Sequence, residues 1–470
     1  LQSLQFHSGV DSFDAAFRLA LQEVHDNIQD DGRFIAGAGW TQLWTRDTSY
    51  ALQLSLALLY PGVSQRTLQN LTQESPPFGT TWLQDVCGHF GGWPNLSDAI
   101  VGATGAWSLY LATGNVEFLQ WAHNVTLRTL EWAEAEVFWE GLFRGCSSFM
   151  ESNSGYPAAY KGNGTMVGQT KALSTNILYY MGYKVAANMT RELHRVQKIS
   201  AQDSGVQITE LTSKADQLRQ AIQSRFWMEE HGYYSYFEDA QGQPISQMEG
   251  LGESLLLLAP ELEQNQTRID LVFSNTVRTD KGIPCLWPRF EIPETKDVSN
   301  YYHNGRIWPF VQGYWALAAA HHKRGAVFGQ ELDHLVDLTG IRLANNPNAT
   351  FAEFYELDGS FLPERRRQLW SSAGYLGMIL QGLFGIQLQA NGSIRLQPIK
   401  PKNNYGMAET IVLEGLPYRN HQAVFTIHVT GYGTELDRVR VNGKVQKEAF
   451  LAADDVHGEL FIELSLKEAS

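Results

Sequence analysis

Residues 39–54 read GWTQLWTRDTSYALQL, a Gly- and Trp-rich stretch that runs without interruption into the apolar repeat of a helix. The same event, a long irregular segment followed by a strongly apolar helix, recurs along the chain. Apolar residues spaced three and four apart predict about twelve helices, near 12–25, 46–60, 64–73, 97–113, 115–138, 168–192, 206–227, 247–258, 265–277, 305–323, 327–343 and 368–384. The segments after the odd-numbered helices are long (26–45, 74–96, 139–167, 228–246, 278–304 and 344–367), and most of those after the even-numbered ones are short. The exception is 193–205, which is longer than the alternation requires. Helices joined by short turns run antiparallel, so the six long segments emerge at one end of the array. This ordering predicts a mainly α fold, an (α/α)6 barrel, over 1–384. From 385 to 470 the texture changes to short alternating strands with turn signals at Asn391-Gly392 and Asn442-Gly443, which predicts a small C-terminal antiparallel β domain.

Composition narrows the partner. The 470 residues carry 50 acidic and 36 basic side chains, a formal charge of −14, which argues against nucleic acid because phosphate neutralisation needs a basic surface. No apolar run approaches the roughly 18 residues needed to span a bilayer, and the first residues, LQSLQFHSGVDSFD, do not read as a signal peptide. A soluble chain is expected, with its compartment and oligomeric state left open. Cys87, Cys146 and Cys285 are odd in number and widely spaced, so neither a disulfide framework nor a zinc site is expected. With 13 Trp, 19 Tyr and 23 Phe, many of the Trp in irregular segments, the chain is rich in the flat apolar faces that suit sugar rings.

The chemistry-bearing residues fall in the long segments, where a rigid scaffold usually carries its site. The first holds Trp40, Trp44, Arg46 and Asp47, with helix capping as the plain alternative for the Asp. The second, WLQDVCGHFGGWPNLSD, holds Asp85, Trp93 and Asp98, the last in a capping position before the fourth helix. Glu151 lies in GLFRGCSSFMESNSGYP, a segment with no regular period. The fifth concentrates Trp287, Tyr301, Tyr302, His303, Asn304 and Trp308. The last, NPNATFAEFYELDGSFLPERRRQLW, holds Glu353, Glu356, Asp358 and Glu364, then Gln368 and Trp370. Carboxylates from distant parts of a chain, ringed by Trp, are what glycosidic hydrolysis requires: one acid for the leaving oxygen and one base for a water.

Four stretches, RFIAGAGWTQLWTRDTSYALQLSLALLYP, SSFMESNSGYP, YYHNGRIWPFVQGYWALAAA and RQLWSSAGYLGMILQGLFGI, resemble the six-hairpin glycosidases, in particular bacterial glycogen-debranching-like proteins. The chain is more distantly similar to glucoamylases, trehalases, family 63 glucosidases and amylo-1,6-glucosidases. The resemblance, over roughly residues 30 to 430, implies an (α/α)6 barrel and an inverting mechanism with two carboxylic acids. It puts Asp47, within Trp44-Thr45-Arg46-Asp47, on hydroxyls of the terminal sugar. Tyr302, His303, Asn304 and Trp308 become a substrate wall, and Glu353 within FAEFY becomes the general base. The acid implied is Glu151, although similar proteins have an Asp there with different spacing, and Asp85 is the reserve. The β-sandwich that precedes the barrel in many relatives is not expected here.

The expectation is therefore an inverting, exo-acting glycoside hydrolase on a neutral glycoside, an α-glucoside or similar. Its acid would be Glu151, its base Glu353, and Trp40, Trp44, Arg46, Asp47, Asp85, Trp93, Trp287, Tyr302, His303, Asn304, Trp308, Gln368 and Trp370 would bind substrate. The acid's pKa is expected to be raised by partial burial and the base to stay ionised. No cofactor or metal is expected. A phosphorylase, with Arg365, Arg366 and Arg367 as phosphate site, and a non-catalytic sugar-binding relative are the alternatives, and Glu364 is the competing base.

Overall fold

A computed structural model describes residues 3–84, 95–151, 154–291 and 302–467. Twelve principal helices follow in six pairs: α1 (Asp11–Asp26), α2 (Thr45–Ala51), α3 (Pro61–Gln69), α4 (Val101–Thr113), α5 (Val116–Glu136), α6 (Leu173–Arg195), α7 (Ala201–Arg225), α8 (Gly250–Leu258), α9 (Gln266–Asn275), α10 (Pro309–His321), α11 (Gly325–Leu338) and α12 (Leu369–Gly377). The even-numbered helices touch in the order α2, α4, α6, α8, α10, α12, and α12 packs back on α2, closing an inner ring. The odd-numbered helices lie outside it. Their sequences explain the division, because a helix enclosed on all sides must be apolar all round. The inner helix α10 is buried from Pro309 to Ala319 without interruption, whereas the outer α7 buries only Ser204, Leu211, Ala215, Leu218 and Ile222. Close approach within the ring needs glycine: a Cβ on Gly313 of α10 would stand 2.8 Å from the Gly374 Cα of α12.

All twelve expected helices are present, and the segment between α6 and α7 is short, since α6 runs to Arg195 and α7 begins at Ala201. Two inner helices are irregular where the sequence predicts continuous helix. After Ala51, α2 widens into a π-helical segment, Leu52–Leu56, before Ala57–Leu59, and α12 does the same at Met378–Leu383. Gln381 links the two, its Nε2 donating to the carbonyls of Gln53 (2.9 Å) and Leu54 (2.6 Å). Among the described residues no helix is long and apolar enough to cross a membrane.

The C-terminal region forms a six-stranded sheet from β1 (Gln5–His7), β2 (Thr410–Tyr418), β3 (Ala423–Thr430), β4 (Leu436–Val441), β5 (Lys444–Gln446) and β6 (Gly458–Leu466), in the order β1-β2-β3-β6-β4-β5. The Asn442-Gly443 turn joins β4 and β5 with both residues at positive φ (49° and 78°), the backbone that a two-residue hairpin favours. Two features depart from the sequence reading. The sheet is antiparallel except where β3 runs parallel to β6, a pairing made possible by the long crossover between them. Its first strand comes from the start of the chain, Phe6 pairing with Leu413, although the sequence reading assigns 1–384 to the barrel.

Candidate active site

Each inner helix begins at the end of the ring where the long segments emerge. None of the six is capped by the side chain of its own N-cap residue, so their first-turn N–H groups and the positive ends of their dipoles face this end. Here a cavity of about 400 Å³, its open mouth included, is lined by Trp40, Trp44, Arg46, Asp47, Phe149, Glu151, Tyr302, His303, Trp308, Glu353 and Trp370. Behind the lining ring of Trp370 further aromatic rings are packed. Phe310 stacks on Trp370 with centroids 4.0 Å apart, and Tyr50 lies 5.3 Å from Phe310.

Glu353 and Glu151 come from the segments that lead into α12 and α6, three places apart in the ring of six and thus on opposite sides of the cavity. Glu353 is 3% exposed. Its Oε1 accepts from Trp40 Nε1 (2.9 Å) and from the Tyr302 hydroxyl, and its backbone N–H donates to the Arg365 carbonyl (2.8 Å). Its Oε2 has no hydrogen-bond partner among the described residues, because the nearest cation, Arg365 Nε, stands 3.6 Å away, beyond hydrogen-bond range. Burial raises the Glu353 pKa to about 7, and Asp47 adds to the rise against the lowering by Arg365, Tyr302 and Trp40.

Glu151 takes a two-pronged contact from Arg46, Nη1 to Oε2 at 3.2 Å and Nη2 to Oε1 at 3.1 Å. Glu353, the expected base, is the more deeply buried of the two carboxyls. Arg46 also lies 3.8 Å from Asp98 Oδ2. Asp98 is not a cap: Ile100 occupies that position, while the Asp98 carboxylate accepts from Ser148 Oγ (3.0 Å) and from Gln84. Burial lifts its pKa to about 6. Asp47 lies inside the first turn of α2, whose N-cap is Trp44, and its Oδ1 accepts from Gln368 Nε2 (3.1 Å). Burial and the neighbouring Glu151 raise Asp47 to about 7 against the pull of Arg46. His303 is held by Ser154 Oγ at Nδ1 (2.8 Å) and stacked on Trp308 (4.9 Å), and burial, with the nearby Arg46 and Arg306, keeps it neutral.

Four residues expected at the cavity are elsewhere or serve differently. Trp287 lies on a two-residue strand paired with Met248 and packs against the satellite cluster of Met228, Tyr233 and Met248. Asn304 clips the Phe290 backbone, accepting from its N–H (2.9 Å) and donating to its carbonyl (3.0 Å). Gln368 stands behind Asp47, and the competing base Glu364 is exposed on a 3-10 turn, Pro363–Arg365. Asp85, Trp93 and Tyr301 lie outside the described residues. Sequence reasoning misses Phe149, whose only signal is its place in SSFMES, and reads Arg365 only as one of three adjacent arginines of an alternative phosphate site. Arg365 lies over the faces of Trp40 (4.7 Å) and Tyr302 (5.7 Å).

The buried carboxyls set a pH dependence of stability. Glu23, Asp47, Glu249, Glu331 and Glu353 are raised by burial to about 7 in the folded protein, against roughly 4 in an unfolded chain. Between those values the folded state holds protons that the unfolded state has released, so stability is greatest below about pH 4.5 as far as these groups act, and falls as pH rises to about 7. We expect a melting temperature several degrees higher at pH 5.5 than at pH 8 by calorimetry, with a smaller difference in Glu353→Gln. A melting temperature that rises between these pH values would contradict the assignment.

The sequence matches no family model and no curated protein. Solved structures do share the fold. Over the whole chain the protein resembles a sialidase (TM-score 0.69, 14% identity, 42% of that chain) and the GH78 family rhamnosidase of Bacillus sp. GL1 (0.61, 12%, 44%). Over 77% of the chain it resembles the GH63 mannosylglycerate hydrolase of Thermus thermophilus, solved in complex with glucose (0.56, 15%, 98% of that chain). The chain spans less than half the length of the sialidase and of the rhamnosidase. At these identities the likeness establishes the fold, the (α/α)6 barrel.

Proposed function

We propose, from the premise of a barrel shared with glycosidases, that this protein is an inverting, exo-acting glycoside hydrolase acting on a neutral glycoside, an α-glucoside or similar. The observation that carries the reading is Glu353. One of its oxygens is fixed by Trp40 and Tyr302, the other has no hydrogen-bond donor among the described residues, and the residue lines the same cavity as Glu151. A general base needs such an oxygen to take a proton from water, and a base whose pKa lies near the working pH is the most effective. Glu151 protonates the leaving oxygen: it takes up a proton on one oxygen, which gives up its Arg46 contact, while Arg46 keeps the other and fixes the direction of the carboxyl. Asp47, steadied by Gln368, binds hydroxyls of the terminal sugar, and Trp40, Trp44, Trp308 and Trp370 supply apolar faces.

A small cavity lined by aromatic rings supports action at a chain end. Arg365, Arg366 and Arg367 do not line the cavity, which favours hydrolysis over phosphorolysis. Inversion requires the two carboxyl groups to leave room for a water, roughly 6.5–9.5 Å between them. The test is turnover of neutral aryl glycosides and oligosaccharides in phosphate-free buffer, with proton NMR of the first-formed sugar. We expect release of the anomer opposite to the substrate's. Net retention would overturn inversion, and phosphate-dependent release of a sugar 1-phosphate would overturn hydrolysis.

A further inference from the structure

Arg365 is placed unusually for an arginine beside a carboxylate. Its guanidinium rests on Trp40 and Tyr302, the two residues that hydrogen-bond Glu353 Oε1, and its Nε has no hydrogen-bond acceptor among the described residues. It stands 3.6 Å from Glu353 Oε2, close enough for charge attraction and too far to occupy that oxygen's lone pair. It does not line the cavity, and touches it through Glu353, Trp40 and Tyr302, which do. A forked arginine contact, such as Arg46 makes with Glu151, would occupy both oxygens of a carboxylate and leave neither for water. Stacking on two aromatic rings holds Arg365 short of that contact.

We propose that Arg365 is a positioning residue that favours the ionised form of Glu353 through space without donating a hydrogen bond to its second oxygen. The inference rests on the reading of Glu353 as general base. Several groups surround Glu353. Asp47 faces it from α2 and opposes ionisation, Tyr302 and Trp40 donate to it, and His303 is neutral. The ion pair of Arg46 and Glu151 lines the same cavity. Arg365 heads the influences that favour the charged form against burial. The Glu353 backbone is anchored by the Arg365 carbonyl, so side-chain substitution leaves that anchor in place.

The experiment compares wild type, Arg365→Met and Arg365→Lys in two measurements. One is the pH dependence of kcat/KM. The other is the carbon-13 titration of the Glu353 carboxyl in uniformly Glu-labelled protein, identified by its absence in Glu353→Gln. An opposite charge at this distance typically moves a carboxyl by roughly one to three units, and partial exposure puts Arg365 at the low end. Arg365→Met should therefore shift the acid limb of kcat/KM and the Glu353 titration upward together by about one unit. At pH 7 this costs about fivefold in rate, recovered above about pH 9, since the ionised fraction drops from one half to about a tenth. Arg365→Lys should restore much of the shift.

An equal loss at every pH with the titration unmoved would overturn the proposal in favour of a packing role. So would a titration that moves downward. If wild type hydrolyses no glycoside yet the titration still shifts upward in Arg365→Met, the electrostatic role of Arg365 stands and the hydrolase reading falls.

Discussion

Glu353→Gln is expected to lower kcat/KM by about 10²–10⁴-fold or more while substrate binding stays near the wild-type level. The amide keeps the shape of the carboxylate, and its oxygen still accepts from Trp40 and Tyr302. It cannot take a proton from water at the position of Oε2. The fold should not suffer, because a neutral amide replaces a buried carboxyl that burial already penalises, and melting above pH 7 should shift upward if it shifts at all. Glu364→Gln is the matched control, changing an exposed carboxylate in the same segment, and should keep full rate. A Glu353→Gln protein that retained more than about a tenth of the rate, with Glu364→Gln inactive, would identify the wrong carboxylate as base.

The second large effect concerns the leaving group. Glu151→Gln should lose about 10²–10⁴-fold on an oligosaccharide, whose departing alkoxide needs a proton, and far less on a glycosyl fluoride or a dinitrophenyl glycoside, whose leaving groups depart unprotonated. The ratio of the two losses is the diagnostic quantity. Loss of structure would depress both substrates alike, and so would a role in sugar binding alone. Arg46 keeps its partner Asp98 in this variant, so the buried guanidinium is not stranded. Equal losses on both substrates would remove Glu151 from the acid's role and turn attention to other carboxyls of the cavity, Asp47 among them.

Much of the fold is legible in the sequence because its causes are local. The apolar period locates helices, and the contrast between α10, apolar on every side, and α7, apolar along one stripe, separates inner from outer. The order of long and short connections then leaves few ways to arrange twelve helices. What escapes depends on partners far away in sequence. The π-helical segments answer to Gln381 and to carbonyls 327 and 328 residues earlier, and no local pattern signals that. Asp98 has the sequence setting of a helix cap, yet Arg46, Ser148 and Gln84 draw its carboxylate inward. Trp287 shows the limit of aromatic density as a guide. It stands in the same segment as Tyr302 and Trp308, but strand pairing with Met248 turns its ring toward a different cluster. Arg365 is visible in sequence only as charge, and its meaning lies in the distance it keeps.

The inner ring closes where α12 meets α2, and the hydrogen bond from Gln368 to Asp47 spans 321 residues. Seen from the ribosome, the cavity is among the last things this chain can make. While α2 to α10 accumulate, the apolar flank of α2 that will receive α12 has no neighbour, and the β1 strand waits for β2, which begins only at Thr410. Closure over so long a loop is slow, since its entropic cost must be met before native contacts compensate. A nascent or truncated chain ending before residue 369 therefore presents a cleft of exposed inner-helix surface in place of a pocket. Such a chain is a substrate for chaperones and proteases, and the cavity is complete only once α12 has been made.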